Sequence, residues 1–301
     1  MIFNKKGLNK DEHFNIEVEF ILDGFLVKNA ITLFYAPPKN GKSCLAIAIA
    51  KYILQNTNFP VYYLDFDNPL VSLKDKKIDE FIGNFESLVY LHEEILCMTG
   101  KEALNAMVKD CSEKPLAYKD IVMIFDSVTD FLTNETDDTA VKAFMHKVKT
   151  LRNAGVTVIL LHHTNKKDGN YKGSSILKSA SDNVFALTSE VLSDTEDNML
   201  LRRDAGRFGS IRNCAFKVTK YIWEIEPIDY DDLCLPYHKR EFIREVRKVL
   251  VKEKQLNQTK LLEAIGKPED KTSREYLAEY AGRYWICEDG GRGKAKNYTL
   301  K

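Results

Sequence analysis

The sequence predicts an α/β core with a mostly parallel sheet and, after it, a small domain of three helices and a hairpin. Between residues 31 and 161, short runs dense in Ile, Val, Leu, Phe and Tyr alternate with segments of helical period, the rhythm of strands joined by crossover helices. A Gly-Lys-Ser triplet falls between the first such run and the helix behind it. The texture then changes twice, once after Leu161 and again after an acidic stretch carrying Pro227 and Pro236.

The five core strands are expected at 31–35, 61–66, 88–91, 121–125 and 156–161. None alternates apolar with polar residues, which is how strands covered on both faces read. The clearest connecting helix is 139–151, where Val141, Phe144, Met145, Val148 and Leu151 recur at helical spacing and mark a core-facing stripe. Beyond Leu161, runs near 183–188, 199–202 and 215–218 read as antiparallel strands finishing the sheet. Residues 1–226 are thus expected to form the core domain, 227–237 a linker, and 238–301 a separate domain.

Composition excludes several classes. The chain has 301 residues, 44% hydrophobic and 29% charged, values that favour neither disorder nor a membrane protein. The N-terminus carries basic residues but no apolar stretch leading to a cleavage site, so a cytosolic location is expected. Six scattered cysteines (Cys44, Cys97, Cys111, Cys214, Cys234, Cys287) form no C-x-x-C pair and read as reduced thiols. The net charge of zero hides a split. Residues 238–301 carry 16 Lys and Arg against 10 Asp and Glu, leaving 28 against 34 in the rest, so nucleic acid is expected at the C-terminal segment.

The chemistry concentrates in two places. Ala36, Pro37, Pro38, Lys39, Asn40, Gly41, Lys42 and Ser43, with Cys44 behind them, lie between a strand and a helix. Such a turn aims backbone N–H groups at an anion and adds the favourable end of the helix dipole. In this loop Lys42 is placed to reach the β- and γ-phosphates of ATP, and Ser43 to hold Mg²⁺. The first glycine of G-x-x-x-x-G-K-[ST] is replaced by Ala36, a position where a methyl is tolerated if the backbone is ordinary. The second place is the apolar strand ending in Asp126, the expected partner of the Mg²⁺ shell.

With these motifs in chain order, residues 20–220 resemble the RecA-like P-loop ATPases of the RepA type, relatives of the DnaB replicative helicases. The lead-in Leu22-Asp-Gly-Phe-Leu-Val-Lys-Asn-Ala-Ile-Thr-Leu, the segment Tyr62-Tyr-Leu-Asp-Phe-Asp-Asn-Pro69, the Leu161-His-His-Thr-Asn-Lys166 strand end and Lys172-Gly-Ser-Ser175 carry the resemblance. It implies that the water-activating carboxylate is Asp67, with Asp65 a rival, where the family has glutamate. It also implies a γ-phosphate-sensing histidine, His163; His162 and His163 alternate across the strand, so only one faces the nucleotide. Of the family's K-x-R cations, Ala205-Gly-Arg207 keeps the arginine and lacks the lysine, which Arg202 or Arg203 would have to replace. Arg207 would then act on a neighbouring subunit's nucleotide, in what is expected to be a hexameric ring. Lys166, Lys167 and Lys172 would line a channel for single-stranded DNA.

The last 64 or so residues resemble a winged-helix domain. Thr272-Ser-Arg-Glu275 reads as a capping box opening its third helix, and Gly266 as the end of the second. Lys271, Arg274, Arg292, Lys294 and Lys296 are the cations expected to meet duplex DNA. Together these readings imply an ATP-dependent helicase, or alternatively an ATP-gated DNA-binding or loading protein without unwinding.

Overall fold

The computed structural model describes residues 17–164, 175–288 and 295–301. The chain divides into two compact units, Met1–Ile228 and Asp229–Lys301. In the first, a hairpin of β1 (Phe20–Leu22) and β2 (Leu26–Val27) leads into β3 (Ile31–Ala36), α1 (Lys42–Asn56) and β4 (Val61–Asp65). Two short helices, α2 (Leu70–Asp75) and α3 (Ile78–Gly83), precede β5 (Leu88–His92). Then come α4 (Glu93–Leu96), α5 (Gly100–Glu113), β6 (Val122–Asp126), α6 (Asp138–Asn153) and β7 (Thr157–His163). The unit closes with α7 (Ser175–Ala180), β8 (Asn183–Val191), β9 (Glu196–Gly206), β10 (Cys214–Thr219) and β11 (Glu224–Ile228).

One nine-stranded sheet runs β11-β10-β9-β8-β3-β7-β6-β4-β5. From β5 to β8 every pairing is parallel, and from β8 to β11 every pairing is antiparallel. The expectation that β8 is antiparallel to the core is therefore corrected: it lies parallel to β3, with Thr32 opposite Asn183. The reason is the connection, since α7 carries the chain back across the sheet after β7, as a parallel neighbour requires. The strand-end assignments shift by one to three residues, and β9 extends well past 199–202.

The near-continuous apolar strands are explained by burial on both faces. In β3, Phe34 packs with α1 residues Leu45, Ile49 and Ile53, whereas Ile31, Leu33 and Tyr35 join Phe144, Met145 and Val148 on the opposite face, the alternation a pleat imposes. The five stripe residues read from the sequence are the buried residues of α6. The lead-in hairpin anchors the sheet through Phe25, whose ring stacks on Phe34 at 5.4 Å.

In the second unit, α8 (Tyr230–Cys234) and α9 (Tyr237–Glu253) are followed by β12 (Gln255–Asn257), α10 (Gln258–Ala264), α11 (Lys271–Glu279), β13 (Trp285–Glu288) and β14 (Asn297–Leu300). Its three strands are ordered β12-β14-β13. Trp285 is fully buried at the centre with Val246, Leu261, Leu277 and Tyr298, and its indole N–H donates to the Leu277 carbonyl at 2.9 Å. Residues 227–237 are structured: Pro227 and Ile228 end β11, and Asp229 caps α8 by accepting from the Asp232 N–H. Asp232 in turn pairs with Arg283 at 2.7 Å. The capping box at Thr272 is also corrected. The cap is Asp270, whose carboxylate accepts the Ser273 N–H at 2.7 Å, so the cap sits two residues earlier and the stronger anionic cap prevails. Gly266, in left-handed backbone at φ 64°, follows the end of α10.

Candidate functional site: a phosphate loop over two strand-end carboxylates

The loop from Ala36 to Ser43 leaves the carboxyl end of β3 at the middle of the sheet, where α1 begins. Gly41, at φ 75°, forms the N-terminal boundary of α1 with no side-chain cap, so the N–H groups of the first turn stay available to an anion. Lys39 is also left-handed, at φ 63°. Ala36 itself ends β3 in extended backbone, which is why its methyl is tolerated. The antiparallel part of the sheet supports the loop from behind. Asn40 donates its amide to the Leu187 carbonyl at 3.0 Å and accepts from the Ser189 hydroxyl at 2.9 Å.

Lys42 is 4% exposed, and its ammonium donates to the carbonyls of Ala36 and Pro37, both at 3.1 Å. Burial pulls its pKa down to about 8, against the opposing fields of Asp126 and Asp67. Asp126 and Asp65 end neighbouring strands in register. Burial, reinforced by the charge of Asp65, lifts the Asp126 carboxyl to about 6, although hydrogen bonds from Ser43 and Tyr63 oppose the rise. The Tyr63 hydroxyl donates to Asp126 Oδ2 at 2.8 Å, and the ring beside it, Tyr90, donates to Asp65 Oδ2 at 2.6 Å. The two tyrosines stack at 4.9 Å, nearly parallel. The Asp126–Ser127 peptide bond is cis.

The rivalry between Asp65 and Asp67 has a geometric outcome. Asp65 is buried and accepts from Tyr90, the Asn68 side chain and the Asn68 backbone N–H, so its oxygens organise the turn after β4. Asp67 instead is half-exposed and meets His163 Nε2 at 3.5 Å. That contact, foremost among its causes, holds the Asp67 carboxyl below its ordinary value. His162 points the other way along the pleat and is buried.

A cavity of about 650 Å³ opens over these groups. Lys39 to Cys44 form one wall, and Asp67 and His163 lie at one side. Further contributions escaped the sequence reading: Asn68, the neighbouring Asp75 and Lys76, and the Lys220, Tyr221 and Trp223 turn. Lys76 donates to Asn68 Oδ1 at 2.9 Å, and Asn68 is itself gripped by Asp65. An asparagine after the β4 carboxylates was the only sequence signal for this branch. The turn between β10 and β11 carries no motif at all.

Arg207 lies elsewhere. It follows β9 at the end of the sheet opposite the phosphate loop, with its guanidinium 3.4 Å from Asp182 Oδ1 and its N–H donating to the Asp182 carbonyl at 2.8 Å. In this chain it does not reach the cavity. Arg203 is committed to the Ile211 and Phe208 carbonyls at 2.9 and 3.1 Å. In the second unit, Lys271 is highly exposed, 3.8 Å from Glu275, and Arg274 donates to the Asp270 carbonyl. Lys296 is exposed beside β14. Lys166, Lys167, Lys172, Arg292 and Lys294 lie outside the described residues. Among the described residues no helix is long and apolar enough to cross a membrane.

A parallel sheet with a glycine-bounded phosphate loop at one strand end, a Ser43 to Asp126 hydrogen bond beneath it and antiparallel strands behind defines a P-loop nucleotide-binding protein of RecA-like architecture. Residues 9–169, just over half the chain, match the family model described as an AAA domain (AAA_25). The chain belongs to that family of RecA-like P-loop ATPases. No protein of curated function matches the sequence. Among solved structures, the flagellar accessory protein FlaH from Methanocaldococcus jannaschii is similar over 68% of this chain and 91% of its own, with 18% identity and a TM-score of 0.47.

Proposed function

We propose that this ATPase is a DNA-acting motor of the RepA and DnaB helicase kind, which hydrolyses ATP where one copy meets the next in a ring. The observation that carries the reading is a hydrolytic half-site from which the expected arginine finger, Arg207, stands apart. Lys42, Ser43, Asp126, Asp67 and His163 gather at one end of the sheet, while Arg207 stands at the other. A head-to-tail contact between copies would bring one end onto the other, as closed rings of one chain do.

The donor set fits Mg²⁺·ATP. The Ser43 hydroxyl and the Asp126 carboxylate, already hydrogen-bonded to each other, would hold the cation, which when bound neutralises phosphate charge. Lys42 has only carbonyls as neutral acceptors and is free to turn its ammonium onto phosphate oxygens. Asp67, kept ionised by His163, is the group to accept a proton from the attacking water, and His163 links that carboxylate to the strand leading toward residues 165–174.

After the short α8, the second unit supports a DNA role through its order of helix, strand, two helices and two strands, the order of a winged helix. Lys271 and Arg274 on α11 and Lys296 beside the hairpin are the cations to contact phosphates. One observation favours an ATP-gated loader without unwinding. Asp67 is shorter than the family's glutamate and is held by His163, a pairing suited to slow turnover. The test is ATP turnover measured with and without single-stranded DNA across a range of protein concentrations. A several-fold rise with DNA and a rise per subunit with concentration are expected. Turnover indifferent to both would refute the motor.

A further inference from the structure

The turn from Lys220 to Trp223 belongs to no motif, yet it forms the wall of the cavity facing the first turns of α1. Tyr221 and Trp223 have φ of 66° and 55°, a left-handed backbone that bulky side chains seldom adopt. Such a conformation persists only where its surroundings enforce it. The enforcement is visible. The Lys220 N–H donates to the Thr195 carbonyl at 2.8 Å, and its ammonium lies 2.9 Å from the buried Asp197. Lys51 of α1 donates to the Ile222 carbonyl at 2.6 Å. Trp223 is 4% exposed and packs into the core behind the turn. Two side chains of the turn stay exposed, Ile222 at 52% and Tyr221 at 39%, and of these only Tyr221 lines the cavity.

A cavity of about 650 Å³ is of the size that takes a whole small-molecule ligand, and its lining is chemically divided. Lys39, Lys42, Asp67, Asp75, Lys76 and Lys220 supply charge and Ser43 and His163 polar groups, whereas Cys44, Ile47, Tyr221 and Trp223 offer carbon, sulfur and aromatic surface. A flat, neutral group attached to a polyphosphate matches this division.

We propose that Tyr221 is the nucleobase-stacking residue of this site, holding the base between its ring and the Cys44 and Ile47 wall of α1. The inference rests on the cavity being a nucleotide site. Because the base is gripped by its face, which every base offers, the substrate class is nucleoside triphosphates with weak base selectivity. The turn's rigidity then serves to present the ring without ordering it at binding.

The experiment measures equilibrium binding of Mg²⁺ complexes of ATP, ADP, GTP and inorganic tripolyphosphate to the full chain. The parent is compared with Tyr221→Ala, Tyr221→Phe and Lys42→Ala. Tyr221→Ala is expected to weaken ATP and ADP alike by roughly 5- to 150-fold, the span of one base stack on an aromatic ring, while tripolyphosphate affinity is unchanged. Tyr221→Phe is expected to restore ATP binding to within about twofold, because the face and not the hydroxyl makes the contact. GTP should bind within a few-fold of ATP in the parent. Unchanged ATP affinity in Tyr221→Ala overturns the proposal, and so does an equal loss for tripolyphosphate, which would mean that the turn only supports the loop. A parent that binds no ATP, or a Lys42→Ala variant that binds it as the parent does, would instead sink the nucleotide site itself.

Discussion

Two buried aspartates stand at opposite ends of one sheet. Asp182, before β8, is surrounded by compensation: Arg152 approaches both its oxygens at 3.1 and 3.2 Å, Arg207 lies at 3.4 Å, and the Ile31 N–H donates at 2.9 Å. Asp126, at the end of β6, has two hydroxyls as donors, two acidic neighbours, and a lysine whose ammonium bonds to loop carbonyls instead. The same residue type is thus a finished structural tie at one end and a charge held at a cost at the other. Buried charges without full pairing mark sites where a ligand completes the electrostatics.

The largest expected effect breaks that contrast by showing that the quiet end works on a neighbour. Arg207→Ala should lower turnover of the assembled protein by roughly 10³-fold or more, the scale of a finger supplied in trans, with little change in ATP affinity of dilute protein. If turnover persists, Arg207 serves Asp182 alone. Next, Lys42→Ala should cut turnover by roughly 10²- to 10³-fold, the scale for one preorganised donor to a transition state, with an unchanged circular dichroism spectrum. A variant with near-normal turnover would place the chemistry elsewhere.

Asp182→Ala sharpens the comparison from the structural side. It leaves Arg152 and Arg207 facing each other without their anion, so unfolding stability should drop by about 3–5 kcal/mol, read by denaturant titration, whereas ATP affinity of the folded protein should hold. Asp126→Asn should do the reverse. Its folded pKa of about 6 stands above the usual carboxyl value of 3.8, so the proton favours the fold: that contribution is complete below about pH 3.8 and is lost as pH rises through 6. Removing the charge should therefore stabilise the nucleotide-free protein at pH 7 by about 3 kcal/mol while weakening Mg²⁺-dependent ATP binding. In the parent, that binding should weaken as pH falls through 6. A destabilised Asp126→Asn variant would mean that Asp126 is as fully compensated as Asp182.

Much of this was legible in the chain itself, for a physical reason. Helical period marked all five buried residues of α6, because a helix one face of which is covered must repeat its apolar groups every three or four positions. Glycine before lysine and serine, between strand and helix, marked the phosphate loop because left-handed backbone is needed there and at φ 75° Gly41 provides it. The misses have two causes. Asp270 displaced Thr272 as a cap through a local competition between two good candidates. The direction of β8 depended on where α7 carried the chain, which no period records.

What the sequence alone determined, then, is the run of core strands, the buried stripe of α6 and the residues able to grip phosphate, since these depend on neighbours within a few positions. What the tertiary structure decided is which of two carboxylates, Asp65 or Asp67, faces the cavity, and that Lys220, Tyr221 and Trp223 stand across from a loop near the start of the chain. Those outcomes depend on hydrogen bonds and packing between strands far apart in sequence, and only the folded sheet brings such groups together.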